Sequence, residues 1–290
     1  MGDADGAVKV GLVPFARHVN IGVSRGGEAW VSVPSDSVWT HEECEVDAAA
    51  ATAAGCSEQS ATCSWDGASY SCQKWQCPSG DPPETCSMVN NPTSWQGCVG
   101  SRAHPLNVED ASFLSNPVPG VLNTVGWPDC PSELTPMTAD EALIKSRIAA
   151  MTAGGETYVP SGLFWAQSII SSEIPFSEGM TYIEMANQGA VKAVVLMTDG
   201  ENTASPDGGA HYGDDDDAAD GYTLELCDEI KSAGVFLHAI AFEVSDAATE
   251  AMLKSCATSA EAYFNADDAG ELMAAFGEIG DTLQELALVK

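Results

Sequence analysis

Two oxygen-bearing side chains occupy positions where an α/β protein could hold a hard cation. The first is Asp199, which follows a nearly continuous apolar run at residues 190–197 and precedes Gly200. Such a run is typical of a strand buried on both faces of a parallel sheet, and ligands of these sheets bind beyond the carboxyl ends of the strands. Asp199 is therefore a candidate metal ligand. The same carboxylate could instead cap the loop that follows.

The second candidate is Thr157, which lies between Gly154-Gly155 and the helix start that Pro160 indicates. Its hydroxyl could cap that helix, or it could coordinate Mg²⁺ or another divalent cation as a neutral ligand. Mg²⁺ demands near-octahedral oxygen coordination. One carboxylate and one hydroxyl are few protein ligands for it, so we expect a weak or incomplete site.

Residues 199–229 are also notable, because they contain eleven Asp or Glu and no Lys or Arg. An EF-hand loop that began at Asp216 would need an oxygen ligand at its third position and a Glu at its twelfth. Ala218 and Cys227 stand there instead. The pattern favours a solvated acidic loop over a specific calcium site.

Common catalytic motifs are absent from the sequence. It has no G-x-S-x-G, P-loop or G-x-G-x-x-G pattern, and its five histidines form no H-E-x-x-H. His238 lies inside an apolar run, where a structural histidine is expected. We therefore predict a protein that is not an enzyme. A metal-dependent hydrolase that uses the acidic segment is the alternative from another class.

The ten cysteines indicate an oxidising compartment. Eight lie between Cys44 and Cys130, in a stretch rich in Gly, Ser and Pro, and no C-x2-C pair suggests zinc. We predict that Cys227 pairs with Cys256, because two consecutive helices flanking one strand would carry them to the same face. Cys98 and Cys130, which bracket the end of the stretch, are a second predicted pair.

The formal net charge is −32, from 43 acidic and 11 basic residues. Such a chain repels nucleic acid and anionic membrane surfaces, so neither is an expected partner. No run approaches the roughly 20 apolar residues of a membrane helix, and the N-terminus has no signal-peptide pattern. We expect the export signal to lie upstream of this chain.

Three segments follow from the patterns of hydrophobicity. Residues 1–34 carry an apolar strand at 8–15 and two short alternating runs, at 19–23 and 30–33, that predict a hairpin. Residues 35–130 show no persistent period and are predicted to be a disulfide-rich insertion. Residues 131–290 alternate helix and strand patterns, which predicts a mostly parallel sheet with helices on both faces.

Several distinctive stretches together resemble the von Willebrand factor A (VWA) domains of TadG-like proteins from tight-adherence (Flp) pilus loci. They are VKVGLVPFARHVNIGV at 8–23, WQGCVGSR at 95–102, LTPMTAD at 134–140, GETYVPSGLFWA at 155–166, VKAVVLMTDGENT at 191–203, YTLELCDEIKSAGVFLHAIAF at 222–242 and LKSCATSAEAYFNADDAGELMAAF at 253–276.

The resemblance implies a Rossmann-like VWA fold and a metal-ion-dependent adhesion site. In that family the site combines a D-x-S-x-S motif on the first strand with a later Thr and an Asp after a central strand. Thr157 and Asp199 match the last two parts. No D-x-S-x-S occurs in the 290 residues, so we expect the first strand to be missing and the site to be incomplete.

The function implied by the resemblance is protein–protein interaction in pilus assembly or anchoring. The expected partner is a pilus-assembly or envelope component. The expected location is the periplasm or the cell surface, with membrane attachment only through an upstream segment. A secreted or surface adhesin that binds host or matrix ligands is the alternative, and a cleavable signal upstream would favour it.

Overall fold

The computed structural model describes residues 8–65 and 68–289, so the first residues of the predicted segment 1–34 lie outside the described part. The chain folds into two compact units. The larger contains the residues up to Asp36 together with those from Ser94 onward, and the smaller is Ser37–Thr93. The smaller unit is shorter than the predicted insertion at 35–130, because residues 94–130 contribute strands to the larger one.

The elements are numbered in chain order within the described residues. The strands are β1 (Val10–Leu12), β2 (Val19–Asn20), β3 (Val31–Ser32), β4 (Ser37–Val46), β5 (Ser57–Trp65), β6 (Ala68–Gln76), β7 (Glu84–Val99), β8 (Val118–Asn123), β9 (Thr135–Thr138), β10 (Ala193–Thr198), β11 (Ser205–Asp207), β12 (Ala210–Gly213), β13 (Phe236–Phe242) and β14 (Tyr263–Ala266). The helices are α1 (Ala48–Ala53), α2 (Glu141–Ala149), α3 (Val159–Ile170), α4 (Tyr182–Gln188), α5 (Asp216–Ser232), α6 (Ala247–Cys256) and α7 (Ala269–Val289).

A three-stranded parallel sheet in the order β10-β13-β14 organises the larger unit. Its central strand β13 is buried on both faces, because Leu237 and Ala239 belong to the main core and Ile240 to a second cluster with Ala275 and Ile279 of α7. Helices α3 and α5 contact the sheet, as does α6. This sheet fixes where Asp199 emerges, directly after the last residue of β10.

The mixed α/β content agrees with the predicted fold class, but the predicted large parallel sheet is not found among the described residues. The parallel sheet has three strands, and most other pairings are antiparallel and short. The predicted strand at 8–15 is reduced to β1, which pairs antiparallel with β9. A Pro at position 14 explains part of this shortening, because it cannot donate to a ladder.

The predicted hairpin between residues 19–23 and 30–33 is wrong. Strand β2 pairs antiparallel with β7, and β3 pairs in parallel with β8. Val19 and Trp30 are buried in a core that also contains Val99 and Val118 from those partner strands. Burial against distant apolar residues therefore outweighs the local turn at Gly26 and Gly27.

The predicted acidic loop is partly helical. The carboxylate of Asp215 accepts a hydrogen bond of 3.0 Å from the Ala218 amide as the N-cap of α5, and Asp216 and Asp217 form its first turn. Negative charge is favourable there, because the helix N-terminus presents unpaired N–H groups and the positive end of the helix dipole. The acidic run thus has a structural role in starting α5.

The smaller unit consists of two antiparallel ribbons, β4–β7 and β5–β6, and the short helix α1. Three disulfides cross-link it, Cys44–Cys86, Cys56–Cys77 and Cys63–Cys72. Both predicted pairs occur in the larger unit, where the two Cα atoms are 5.7 Å apart in Cys98–Cys130 and 5.0 Å apart in Cys227–Cys256. The prediction that the cysteines are oxidised is confirmed, since none is free.

No helix within the described residues is long and apolar enough to span a membrane.

Candidate functional site

Asp199 lies at the carboxyl end of β10, as the sequence predicts. Its side chain is exposed, whereas the preceding Thr198 is buried. The Thr198 hydroxyl donates to the Gly200 carbonyl oxygen at 3.1 Å and accepts from the Gly200 amide at 3.4 Å. These bonds hold the turn through which Asp199 reaches solvent, and no hydrogen bond to its carboxylate is found within the described residues.

Thr157 lies just before α3 and is joined to the loop that follows Asp199. Its amide donates to the Thr203 hydroxyl at 2.8 Å. Its carbonyl oxygen accepts from the amides of Thr203 and Ala204, at 2.9 and 3.1 Å. These bonds join the segment that carries Thr157 to the loop that follows Asp199. The N-cap of α3 is Tyr158, without a side-chain capping bond, so the Thr157 hydroxyl does not cap this helix.

Asn202 supplies three further hydrogen bonds at this junction, and sequence reasoning missed it. The side chain is 2% exposed. Its carbonyl oxygen accepts from the Val159 amide at 2.8 Å, and its amide group donates to Asp220 at 2.8 Å and to Thr223 at 3.3 Å. One side chain thus caps α3 and ties it to α5. No periodicity marks Asn202, because it lies in a loop and its partners are 18 to 43 residues away.

The oxygen atoms at this junction fit Mg²⁺ only in part. Thr157 and Asp199 offer one hydroxyl and one carboxylate, and no group of three His, Cys, Asp or Glu ligand atoms surrounds them in the described part of the chain. The group that does come together, Glu42 with Cys44 and Cys86, lies in the smaller unit and has its sulfurs in a disulfide. The two oxygens fit a hard cation in type and fall short of an octahedral shell in number.

A second polar cluster, formed around Arg17, Asp129 and His211, contacts the residue before Thr157. Arg17 forms an ion pair of 3.0 Å with Asp129, and a second carboxylate oxygen of Asp129 accepts from the Glu156 amide at 2.7 Å. His211 has one ring nitrogen 2.7 Å from the Ser101 hydroxyl and the other 2.6 Å from the Arg17 carbonyl oxygen. These contacts span up to 194 residues, so no local motif could reveal them.

The Ser101–His211 pair has the geometry of a nucleophile and a base. The pKa of His211 is lowered to about 3, mainly because the side chain is buried. A general base that works near neutral pH needs a pKa close to the working pH. His211 is therefore a poor base, and its bonds to Ser101 and Arg17 are better explained as the satisfaction of a buried imidazole.

Comparison with known proteins gives partial similarities. No protein-family model and no curated protein matches the chain. Among solved structures, it is similar to the vWF domain of the type V pili tip protein Mfa5 from Porphyromonas gingivalis, with 17% identity and a TM-score of 0.39 over 53% of this chain and 78% of that chain. It is also similar to the pilus adhesin SpaC from Lactobacillus rhamnosus GG, with 15% identity and a TM-score of 0.37 over 53% of this chain and 22% of that chain. At these values neither likeness defines a family or a function for the chain.

Proposed function

We propose that this chain is a non-catalytic protein–protein interaction module of the VWA type that acts in the assembly or anchoring of tight-adherence pili. The observation that carries the proposal is the junction of the Thr157 and Asp199 segments at the carboxyl end of the parallel sheet. In this proposal Thr157 and Asp199 supply the oxygen ligands, and hydrogen bonds of Thr157 and of the buried Asn202 side chain join the segments that carry them. The quoted sequence stretches supply the link to the pilus family.

The five disulfides support a location outside the cytoplasm, in the periplasm or at the cell surface. Membrane attachment, in this proposal, comes from a segment upstream. The partner is a pilus-assembly or envelope protein that contacts Asp199 and Glu201, which are exposed in the loop after β10. A bound cation would supply a positive charge between Asp199 and a carboxylate of the partner.

Weak Mg²⁺ binding is the first expected result. Calorimetric titration of the chain should give a dissociation constant of about 10⁻³ M or weaker, comparable with the loosest extracellular calcium sites. Asp199→Ala should remove the saturable heat. Asp281→Ala, which removes an exposed carboxylate from α7, should leave it unchanged. Submicromolar binding that depends on Asp199 would contradict the argument from the number of ligands.

Site-specific cross-linking tests the partner. A photoreactive amino acid at Glu201, exposed in the loop after Asp199, should cross-link to a pilus-assembly or envelope protein in the native cell. The matched position is Asp281 in α7, also exposed, where no such product should form. Equal products at both positions, or none at Glu201, would show that the contact uses another surface.

A further inference from the structure

Two histidines are stacked in the interior of the larger unit. His18 precedes β2 and His211 lies in β12; both side chains are 0% exposed, and their ring centroids are 5.1 Å apart with an interplanar angle of 20°. Tyr212 packs its ring edge-on against His18 at 5.6 Å, and the Tyr158 ring lies 4.2 Å from His211. Both rings are thus buried and packed against tyrosine side chains, and burial disfavours a new positive charge.

The hydrogen bonds define the tautomer of neutral His211. Its Nδ1 is 2.6 Å from the Arg17 carbonyl oxygen, an acceptor only, so Nδ1 carries the proton. Its Nε2 is then free to accept from the Ser101 hydroxyl at 2.7 Å. The ring nitrogens of His18 have no hydrogen-bond partner among the described residues. A proton added to the His18 ring would therefore find no acceptor there, whereas one added to Nε2 of His211 would turn the Ser101 hydroxyl from donor to acceptor.

Both positively and negatively charged groups lie near the histidine pair. Arg17 lies closest, and its guanidinium bonds to the His211 carbonyl oxygen at 2.7 Å and pairs with Asp129 and Glu156. Asp129 raises the pKa of His18 and Arg17 lowers it, but burial is the largest cause and brings that pKa to about 4. Burial is likewise the largest cause that lowers the pKa of His211; the charges of His18 and Arg17 lower it further, whereas the hydrogen bond to the Arg17 carbonyl oxygen raises it.

The same cluster holds the segment that carries Thr157. The Glu156 amide donates to Asp129, the Tyr158 amide donates to the Ala16 carbonyl oxygen at 3.1 Å, and the Tyr158 ring rests on His211. The amide of His18 also donates to the Asp129 carbonyl oxygen at 3.3 Å. A change that separates His18 from His211 would consequently loosen the residues on both sides of Thr157.

We propose that the stacked His18–His211 pair is an acid-sensitive latch, which holds residues 156–158 in place at neutral pH and releases them when the pair is protonated. The latch does not depend on whether Thr157 binds a cation. Both histidines have a folded pKa below the ordinary value of 6.5. Their stabilising contribution is complete above about pH 6.5 and is lost as the pH falls toward those lower values.

Hydrogen exchange provides the test. We expect the opening equilibrium of the Glu156 and Tyr158 amides, corrected for the chemical exchange rate, to rise as the pH falls below 6.5, approaching about tenfold per histidine for each pH unit between about 5.5 and 4.5. For the pair the limit is about a hundredfold per pH unit. His18→Phe keeps an aromatic ring in the stack and removes one proton, so the dependence should fall to about tenfold per unit. His104→Gln, at a half-exposed histidine, should leave it unchanged.

A measurement on the unmodified chain tests the proposal even if the His18→Phe variant fails to fold. NMR titration of the imidazole ring protons should show that His18 and His211 stay neutral in the folded state down to about pH 5, whereas an exposed histidine titrates near 6.5. Ordinary titration of both rings near pH 6.5 would overturn the proposal. So would an opening equilibrium at residues 156–158 that is independent of pH, or one with the same pH dependence in His18→Phe.

Discussion

Reduction of the disulfides is expected to unfold the smaller unit, residues 37–93, under conditions in which the larger unit stays folded. Of its described residues only Ala51 and Cys56 are buried, so it has almost no apolar core. Its three bridges close loops of 42, 21 and 9 residues. Each bridge contributes about 2–4 kcal/mol by restricting the unfolded chain. Without them, nothing comparable offsets the conformational entropy of some fifty ordered residues.

Limited proteolysis with mass spectrometry measures this effect. After mild reduction, new cleavage sites should appear within 37–93, at rates increased by at least about two orders of magnitude, since 3 kcal/mol changes an unfolding equilibrium by more than a hundredfold. The double substitution Cys44→Ser and Cys86→Ser should reproduce most of the effect, because this exposed bridge closes the longest loop of the three.

The matched control lies in the larger unit. Cys227 and Cys256 are completely buried and join α5 to α6 within the main core. Their double replacement by Ser should lower the stability of the larger unit and leave residues 37–93 as resistant to protease as before. Protease resistance of 37–93 after full reduction would mean that hydrogen bonds in the two ribbons suffice to hold it.

The same unit shows where sequence reasoning stops. The sequence predicts an irregular stretch at 35–130, yet this stretch contains the sixteen-residue strand β7 and its ten-residue partner β4. An alternating apolar pattern arises only when one face of a strand is buried. Most side chains of β4 are exposed on both faces, and its sequence, SVWTHEECEV, has no alternating apolar pattern. The Cys44–Cys86 disulfide, and not an apolar face, cross-links this ribbon.

Residues 190–266 are easier to predict, because each main strand there has a buried apolar face. Strand β13 is buried on both faces, whereas Val195 and Met197 leave one face of β10 exposed, so the prediction of burial on both faces is wrong for β10. The apolar runs ending at Thr198 and Phe242 mark β10 and β13 within a few residues. The rule that ligands bind at the carboxyl ends of parallel strands then leads to the segments of Asp199 and Thr157. The residues that join those segments could not be predicted from the sequence. The amide of Asn202 and the rings of His18 and His211 act through partners far along the chain, and no local pattern announces them.

Asn202→Ala is expected to destabilise the larger unit by about 3 kcal/mol, which is large for a loop residue. The substitution leaves the buried Val159 amide without its acceptor at the start of α3 and removes the donor to Asp220. A buried group that loses its partner costs about 1–3 kcal/mol. Denaturant unfolding measures the loss. Asn265→Ala, at an exposed site with one long contact of 3.5 Å, should change stability by less than about 0.5 kcal/mol.

Exchanging the Asn and Asp side chains between positions 202 and 220 distinguishes the loss of hydrogen bonds from the loss of side-chain volume. Asn202→Asp keeps an acceptor for the Val159 amide but places a carboxylate against Asp220, so it should destabilise the fold about as much as Asn202→Ala. Adding Asp220→Asn restores a donor–acceptor pair with the roles reversed, and most of the lost stability should return. If the double variant is no better than Asn202→Asp alone, the Asn202–Asp220 bond does not hold α5 to the loop after Asp199. In that case the position of Asp199 must depend on the other bonds of its loop, those of Thr157, of the Val159 amide and of the Thr198–Gly200 turn.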